Sequence, residues 1–287
     1  MGQYAIGTAK LAKKRPRLVF DAHNAEFLLQ QRIFESDTRN PRRWVGALYS
    51  LLQWAKLRRY ERALCSQVDQ VLACSPADGQ ALTSLCPGLK PVIVPNGVDT
   101  HHYRPDAVAA ASLKTPALVF TGKMDFRPNV DAILWFASEV FPRIRHIQPN
   151  AHLYVVGKDP HSRLSLLTQT PGITVTGFVD DVRPYIAAAA IYVVPLLTGG
   201  GTRLKVLEAM AMGKAIVSSR LGAEGIPVQD GRDLLMADTA AAFAHSVLTL
   251  LKSEAQVRQL GQSARRFVER HFDWRQVTAP LEQVYAQ

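Results

Sequence analysis

Between Gly199 and Gly213 the chain reads GGGTRLKVLEAMAMG: three glycines open onto an amphipathic helix that carries a single carboxylate, Glu208. Glycine amides with no side chain to shield them, set at the positive end of a helix, can hold a diphosphate. A carboxylate further along can accept hydrogen bonds from vicinal hydroxyls. This combination suits a phosphorylated sugar. The same residues also read as a flexible turn before a core helix, with Glu208 a solvated carboxylate pairing with Lys205 three residues earlier.

The elements that would position this run are legible on both sides of it. Ile191 to Leu197 (IYVVPLL) reads as a buried strand feeding the glycines and Ala215 to Ser219 (AIVSS) as the strand after the helix. Loops that follow strand carboxyl ends are where open α/β sheets bind ligands. From Ala117 onward, strand-like runs (ALVFTG, HLYVVG, ITVTG, IYVVPLL, AIVSS, DLLMA) alternate with helical ones (VDAILWFASEVFPRI, SRLSLLTQ, VRPYIAAAA, TRLKVLEAMAM, AAAFAHSVLTLLK), the pattern of a parallel Rossmann-like sheet. Before Ala117 stand three strand candidates, RLVFDAH, QVLACS and PVIVPNG, with a long helical stretch from about Glu26 to Leu64 after the first. A first domain of ordinary size, roughly 150 residues, needs several more strands. The expectation is therefore a partial domain lacking its opening βαβ units. Thr100 to Lys114 is polar and alanine-rich, as a linker would be.

The segment PLLTGGGTRLKVLEAMAMGKAIVSS, with LGAEGI after it, VTGFVDDVRPYIAAA before it, and FTGKMDFRPNVDAILWF and VPNGVD further upstream, resembles the C-terminal half of a GT-B glycosyltransferase. The resemblance is to the family-4-like, group 1 glycosyltransferases that use nucleotide sugars, and it covers most of the span from about Leu18 to Trp274. It implies an α/β, GT-B-like fold with four parts. These are a partial N-terminal acceptor-side domain at 1–99, a linker at 100–116, a C-terminal nucleotide-sugar-binding Rossmann-like domain at 117–272, and a helix at 273–287 returning to the N-terminal domain. The implied enzyme is a hexosyltransferase-like glycosyltransferase that retains anomeric configuration, with a nucleotide sugar as donor and a polysaccharide or glycolipid as acceptor.

The resemblance also carries over residue by residue. Glu208 matches a glutamate that contacts the ribose hydroxyls of the donor. A preceding family glutamate that touches the donor sugar would fall at Gly200, so the amides of Gly199, Gly200, Gly201 and Thr202, with Arg203, would have to substitute. Lys123 matches a basic residue facing the diphosphate, where an ammonium stabilises the departing nucleoside diphosphate. A second basic residue would align near Asn129, which is neutral; Arg127 stands close enough to take over, or is a surface arginine. Phe178 and Val179 match the segment flanking the nucleotide base, or end a strand in the ordinary way. His23 matches a histidine that faces the transferred sugar and acts by positioning it; otherwise it is a loop residue beside Asp21 and Asn24.

Composition bounds the alternatives. The chain has 287 residues, 47% of them hydrophobic, and its longest apolar run, near Tyr185 to Leu197, is too short to span a membrane and contains Pro195. Lys10, Lys13, Lys14, Arg15 and Arg17 follow the brief N-terminal apolar stretch rather than precede it, unlike a signal peptide, so the expected location is cytoplasmic. The three cysteines, Cys65, Cys74 and Cys86, and the eight histidines lack metal-ligand spacing, and Asp180 and Asp181 are adjacent, so neither a metal nor another cofactor is expected. The formal charge of +10 raises nucleic-acid binding, but the basic residues are spread along the chain and match no nucleic-acid module. Their densest run, 39–62, sets Trp44, Leu48, Leu51, Leu52 and Trp54 between basic ends. It reads either as an interfacial helix making peripheral contact with the inner face of an anionic membrane or as a helix buried in the first domain. A nucleotide-sugar-binding remnant without transferase activity and a basic nucleic-acid-binding scaffold are the competing functions.

Overall fold

A computed structural model describes residues 2–38, 44–199 and 202–286. Two compact units partition the chain. One comprises Met1–Asn96, Thr198–Thr202 and Val277–Gln287, the other Gly97–Leu197 and Arg203–Gln276.

The first unit opens with a helix the sequence did not signal, α1 (Gly2–Leu11), followed by β1 (Val19–Ala22). The long helical stretch resolves into α2 (Glu26–Thr38) and α3 (Trp44–Cys65), after which come β2 (Gln70–Ala73), α4 (Pro76–Leu85) and β3 (Val92–Ile93). The three anticipated strands pair in parallel in the order β1-β2-β3. Their core is small: Ala22, Phe27, Cys65, Val71, Ala73, Leu82 and Leu85 are buried, with Trp54 of α3 packed against them. Two carboxylates serve the start of α2. Glu61 accepts the amides of Glu26 and Phe27, both at 3.0 Å, and Asp78 accepts that of Ala25 at 3.0 Å, so three orphan donors after β1 are satisfied.

The second unit is larger, and its strands sit where the apolar runs lie. In chain order it contains β4 (Ala117–Thr121), α5 (Arg127–Trp135), a π-helical turn at Phe136–Val140, α6 (Phe141–Ile147), β5 (His152–Val156), β6 (Ile173–Gly177), α7 (Arg183–Ala188), β7 (Ile191–Val194), α8 (Leu204–Ala211), β8 (Ile216–Ser218), β9 (Leu235–Met236), α9 (Ala240–Leu251) and α10 (Glu254–His271). SRLSLLTQ, expected to be an α-helix, forms a 3₁₀ segment, Ser162–Gln169. The amphipathic α10 is capped by Ser253 accepting the Gln256 amide at 3.3 Å.

The six strands run parallel in the order β6-β5-β4-β7-β8-β9. Alternation along each strand splits the core into two layers. Leu118, Phe120, Leu153, Val155, Ile191, Val193 and Val217 face one layer, with Ile133, Phe136, Phe243 and Val247. Ala117, Val119, Tyr154, Val156, Tyr192, Val194 and Ile216 face the other, with Val206, Leu207, Met210 and Val268.

The segment expected to be a linker, 100–116, groups with the second unit and packs there: Tyr103, Val108 and Leu113 lie against its core. Thr100 donates to Asp273, and Val98 bridges Asp273 in parallel, tying the start of this unit to its end. The last stretch is two helices rather than one, α11 (Trp274–Val277) and α12 (Ala279–Tyr285). The residues from Val277 group with the first unit, where Arg17 Nη1 donates to the Val284 carbonyl at 2.6 Å.

Candidate functional site

In the second unit the chain builds outward from β4 through β5 to β6, then returns to place β7 on the opposite side of β4. The carboxyl ends of β4 and β7 therefore flank a reversal of strand order, the position at which open α/β sheets bind ligands. Thr121 and Tyr192 share a 2.5 Å hydrogen bond that locks the two strands together. The loop after β4 carries Gly122 and Lys123 into α5. The chain after β7 passes through the glycine run into α8, whose apolar face (Val206, Leu207, Ala209, Met210, Ala211) is buried.

A loop and a helix far apart in sequence meet through one amide. Asn129, on α5 and 6% exposed, donates through Nδ2 to the Lys123 carbonyl at 2.8 Å and accepts through Oδ1 from Lys205 Nζ at 2.9 Å. The Lys205 ammonium lies 3.9 Å from the centroid of the Phe120 ring, a cation–π contact. Gly122, at φ +156°, makes room for it: a Cβ there would stand 2.7 Å from Lys205 Nζ and 2.8 Å from Asn129 Nδ2. Burial pulls the Lys205 pKa down to about 7; the charge of Arg203 acts in the same direction and Glu208 opposes it.

Glu208 lies on α8 half-buried and accepts a hydrogen bond from Tyr103 Oη at 3.2 Å. Burial raises its pKa, while the Tyr103 hydrogen bond and the Lys205 charge lower it. Burial and the adjacent Glu208 push the Tyr103 phenol well above its usual value. Glu208 is thus neither freely solvated nor closed in an ion pair with Lys205, whose acceptor is Asn129 instead.

The other anticipated residues fall in varied settings. Lys123 is exposed and pairs with Asp125 at 2.9 Å, which raises its pKa and lowers that of Asp125. Arg127 reaches Asp131 at 3.4 Å, a carboxylate that Arg163 also meets at 2.7 Å. Phe178, after β6, is 70% exposed, whereas Val179 packs against the core. Arg203 is buried at the start of α8. Thr202 Oγ1 is buried with no hydrogen-bond partner among the described residues. Gly199 groups with the first unit, its carbonyl accepting from Arg32 at 3.2 Å. Gly200 and Gly201 lie outside the described residues.

In the first unit, His23 follows β1 and its Nε2 sits 3.7 Å from Asp21 Oδ2. It lines a pocket of about 510 Å³ with Asp21, Asn24, Glu26, Tyr60 and Glu61. Ligand atoms of Asp21, His23 and Cys74 lie within 4.8 Å of one another, the spacing a metal ion would need. Cys74, however, donates to Asn96 Oδ1 at 3.6 Å, and burial, with Asp21 and Asp78, pushes its thiol up to about 11, against the thiolate that a metal binds. On α3, Trp44, Val45, Leu48, Tyr49 and Leu52 are exposed, while Leu51 and Trp54 are half-buried; residues 39–43 lie outside the described residues. No helix among the described residues is long and apolar enough to cross a membrane.

In the second unit the Lys123 carbonyl and Lys205 meet at Asn129, and Glu208 meets Tyr103; the sequence nominated Lys123 and Glu208 but not Asn129, Lys205 or Tyr103. A lysine three residues before a carboxylate on an otherwise apolar helix was the available signal for Lys205.

Comparison with known proteins gives two family matches: residues 115–253 match the family described as Glycosyl transferases group 1, and residues 2–102 match Glycosyltransferase Family 4. The chain is similar to a GDP-mannose-dependent alpha-(1-6)-phosphatidylinositol monomannoside mannosyltransferase of Mycobacterium tuberculosis, 27% identical over 66% of this chain and 54% of that protein. Among solved structures, sucrose-phosphate synthase from Thermosynechococcus elongatus superposes with a TM-score of 0.75 at 21% identity, over 100% of this chain and 71% of that one. HepE of Anabaena in complex with UDP-glucose superposes with a TM-score of 0.68 at 14% identity, over 100% of this chain and 77% of that one. The chain spans about half the length of the curated relatives it matches.

Proposed function

This chain belongs to the family-4-like, group 1 glycosyltransferases and has their α/β GT-B fold, and from that premise we propose that it takes part in moving a sugar from a nucleotide-sugar donor to a glycan or lipid-linked acceptor. The observation that carries this reading is that Asn129 ties the loop bearing Lys123 to Lys205, one turn before Glu208 on α8, at the β4/β7 reversal. Glu208 accepts hydrogen bonds from the ribose hydroxyls, its carboxylate oriented by Tyr103. Lys123 meets the negative charge that grows on the diphosphate as the glycosidic bond to the leaving group breaks. Arg127, Arg203 and the backbone entering α8 contribute further positive potential, and Phe178 and Val179 flank the base. For His23, in the first unit, the proposal keeps the sugar-orienting role that the resemblance implies. Transfer with retention of configuration and without a metal is part of the same proposal.

The test is calorimetric titration of the full chain with UDP-, GDP-, ADP- and TDP-sugars, followed by a transfer assay with the donor that binds. Binding of one nucleotide series with turnover supports the reading. Binding without turnover favours a donor-binding remnant, and salt-sensitive nucleic-acid binding with no nucleotide-sugar affinity refutes it.

We also propose that α3 rests on an anionic bilayer. Its exposed apolar residues adjoin exposed Lys56, Arg58 and Arg59, a pairing that suits an acidic lipid surface. Co-sedimentation with phosphatidylglycerol vesicles that Leu48→Glu abolishes supports this; equal binding by the variant refutes it.

A further inference from the structure

We propose that Lys205 is a phosphate-contacting residue of the nucleoside-diphosphate site, a role that rests on the donor reading above and goes beyond it. Hydrogen-bond capacity comes first. An ammonium carries three donors, and among the described residues the only acceptor for Lys205 Nζ is Asn129 Oδ1. The Phe120 ring beneath it attracts the charge but takes no conventional hydrogen bond. Two N–H groups are left for an oxygen-rich ligand.

Placement supplies the second step. The ammonium stands over Gly122, directly after β4, in the space a side chain at residue 122 would fill. Asn129 holds it there while its other end grips the carbonyl of Lys123. One amide therefore fixes a lysine from α8 beside the loop bearing a lysine from the β4 side, at the carboxyl end of a strand where the sheet order reverses. The Lys123 ammonium on that loop is already paired with Asp125, so the two N–H groups of Lys205 are the donors left at the end of β4 for the oxygens of a diphosphate.

Electrostatics supplies the third. The charged and titratable groups around Lys205 are Arg203 at the start of α8, Glu208 one turn further on, and Tyr103, bonded to Glu208; Phe120 and Asn129 face it from β4 and α5 without charge. With its pKa lowered to about 7, Lys205 is part-protonated in the ligand-free protein near neutrality. A bound diphosphate raises that pKa, so binding draws a proton from solvent. Affinity is then highest below pH 7. Above it, where the diphosphate is already fully ionised, affinity falls by up to tenfold per pH unit.

The experiment is calorimetry of the full chain and Lys205→Met with UDP and GDP, with uridine and guanosine as phosphate-free controls, from pH 6 to 9. The expected result is a loss of about tenfold to a hundredfold in diphosphate affinity for Lys205→Met. Nucleoside affinity should be unchanged and the steep fall above pH 7 abolished; Lys205→Arg should recover part of the diphosphate affinity. Equal diphosphate affinities, or equal pH slopes, in wild type and Lys205→Met overturn the proposal while leaving the donor reading in place. Failure of the wild-type chain to bind either diphosphate overturns both. If Lys205→Met does not fold, the wild-type pH profile above 7.5 decides: a steep fall supports the proposal and a flat profile overturns it.

Discussion

Gly122→Ala probes the packing at the reversal point most directly. The backbone there has φ +156°, and the added Cβ would meet Lys205 Nζ at 2.7 Å and Asn129 Nδ2 at 2.8 Å. Side-chain ends can retreat where backbone cannot, so the chain should still fold, with the Lys205–Asn129 bond broken. Backbone strain of about 1–3 kcal/mol and loss of a charged hydrogen bond worth about 1.5–3 kcal/mol, partly relieved by movement of the lysine, sum to roughly 2–4 kcal/mol. At Gly157 the corresponding Cβ would lie 1.8 Å from the Gly122 carbonyl oxygen, which is backbone, so Gly157→Ala should cost more. Urea unfolding measures both changes. A double-mutant cycle with Lys205→Ala isolates the crowding, because Gly122→Ala should cost less once the ammonium is gone. A loss below about 0.5 kcal/mol for Gly122→Ala, or the same cost with and without Lys205, would refute this account of the site.

Three further outcomes follow from particular residues. Glu208→Ala should weaken nucleotide-sugar binding by about one to two decades, through loss of charged hydrogen bonds to ribose, and calorimetry with the fold verified by circular dichroism checks it. Lys205 has a folded pKa of about 7, below the usual lysine value. The wild-type chain should therefore gain stability as pH rises from 7 toward 10, and the excess stability of Lys205→Met should be largest at or below pH 7 and fade over that range in pH-resolved unfolding. Asp273 is buried, and its pKa is held well below the usual range, first by Arg275 and then by Thr100, against desolvation. Its contribution is therefore present above pH 4 and lost as pH falls further, so acid unfolding of Asp273→Asn should lack that component of the wild-type slope.

Much of the fold was legible in the chain because strands and helices are local. ALVFT, HLYVV and IYVV are β-branched or aromatic runs bounded by turn residues, and each became a strand buried throughout. The 3₁₀ geometry of Ser162–Gln169 was not legible, since its apolar spacing also fits an α-helix. Nor was the packed state of Tyr103, Val108 and Leu113: a polar, alanine-rich stretch carries no periodicity from which contact with a distant core could be read.

The candidate site divides in the same way. Glu208 and Lys123 could be nominated from sequence because each lies in a run whose local form, strand to loop to helix, is set by neighbouring residues. Asn129 looked like a deficiency, a neutral residue where a cation was wanted. The tertiary structure gives it a partner 76 residues away in Lys205, and gives Glu208 one 105 residues away in Tyr103. Local sequence sets which segments become strands and helices and which groups with hydrogen-bonding capacity end up on them. Only the order of strands across the sheet decided which of those groups meet: β4 and β7 become neighbours through packing of both sheet faces, an energy summed over the whole core that no local window of sequence contains.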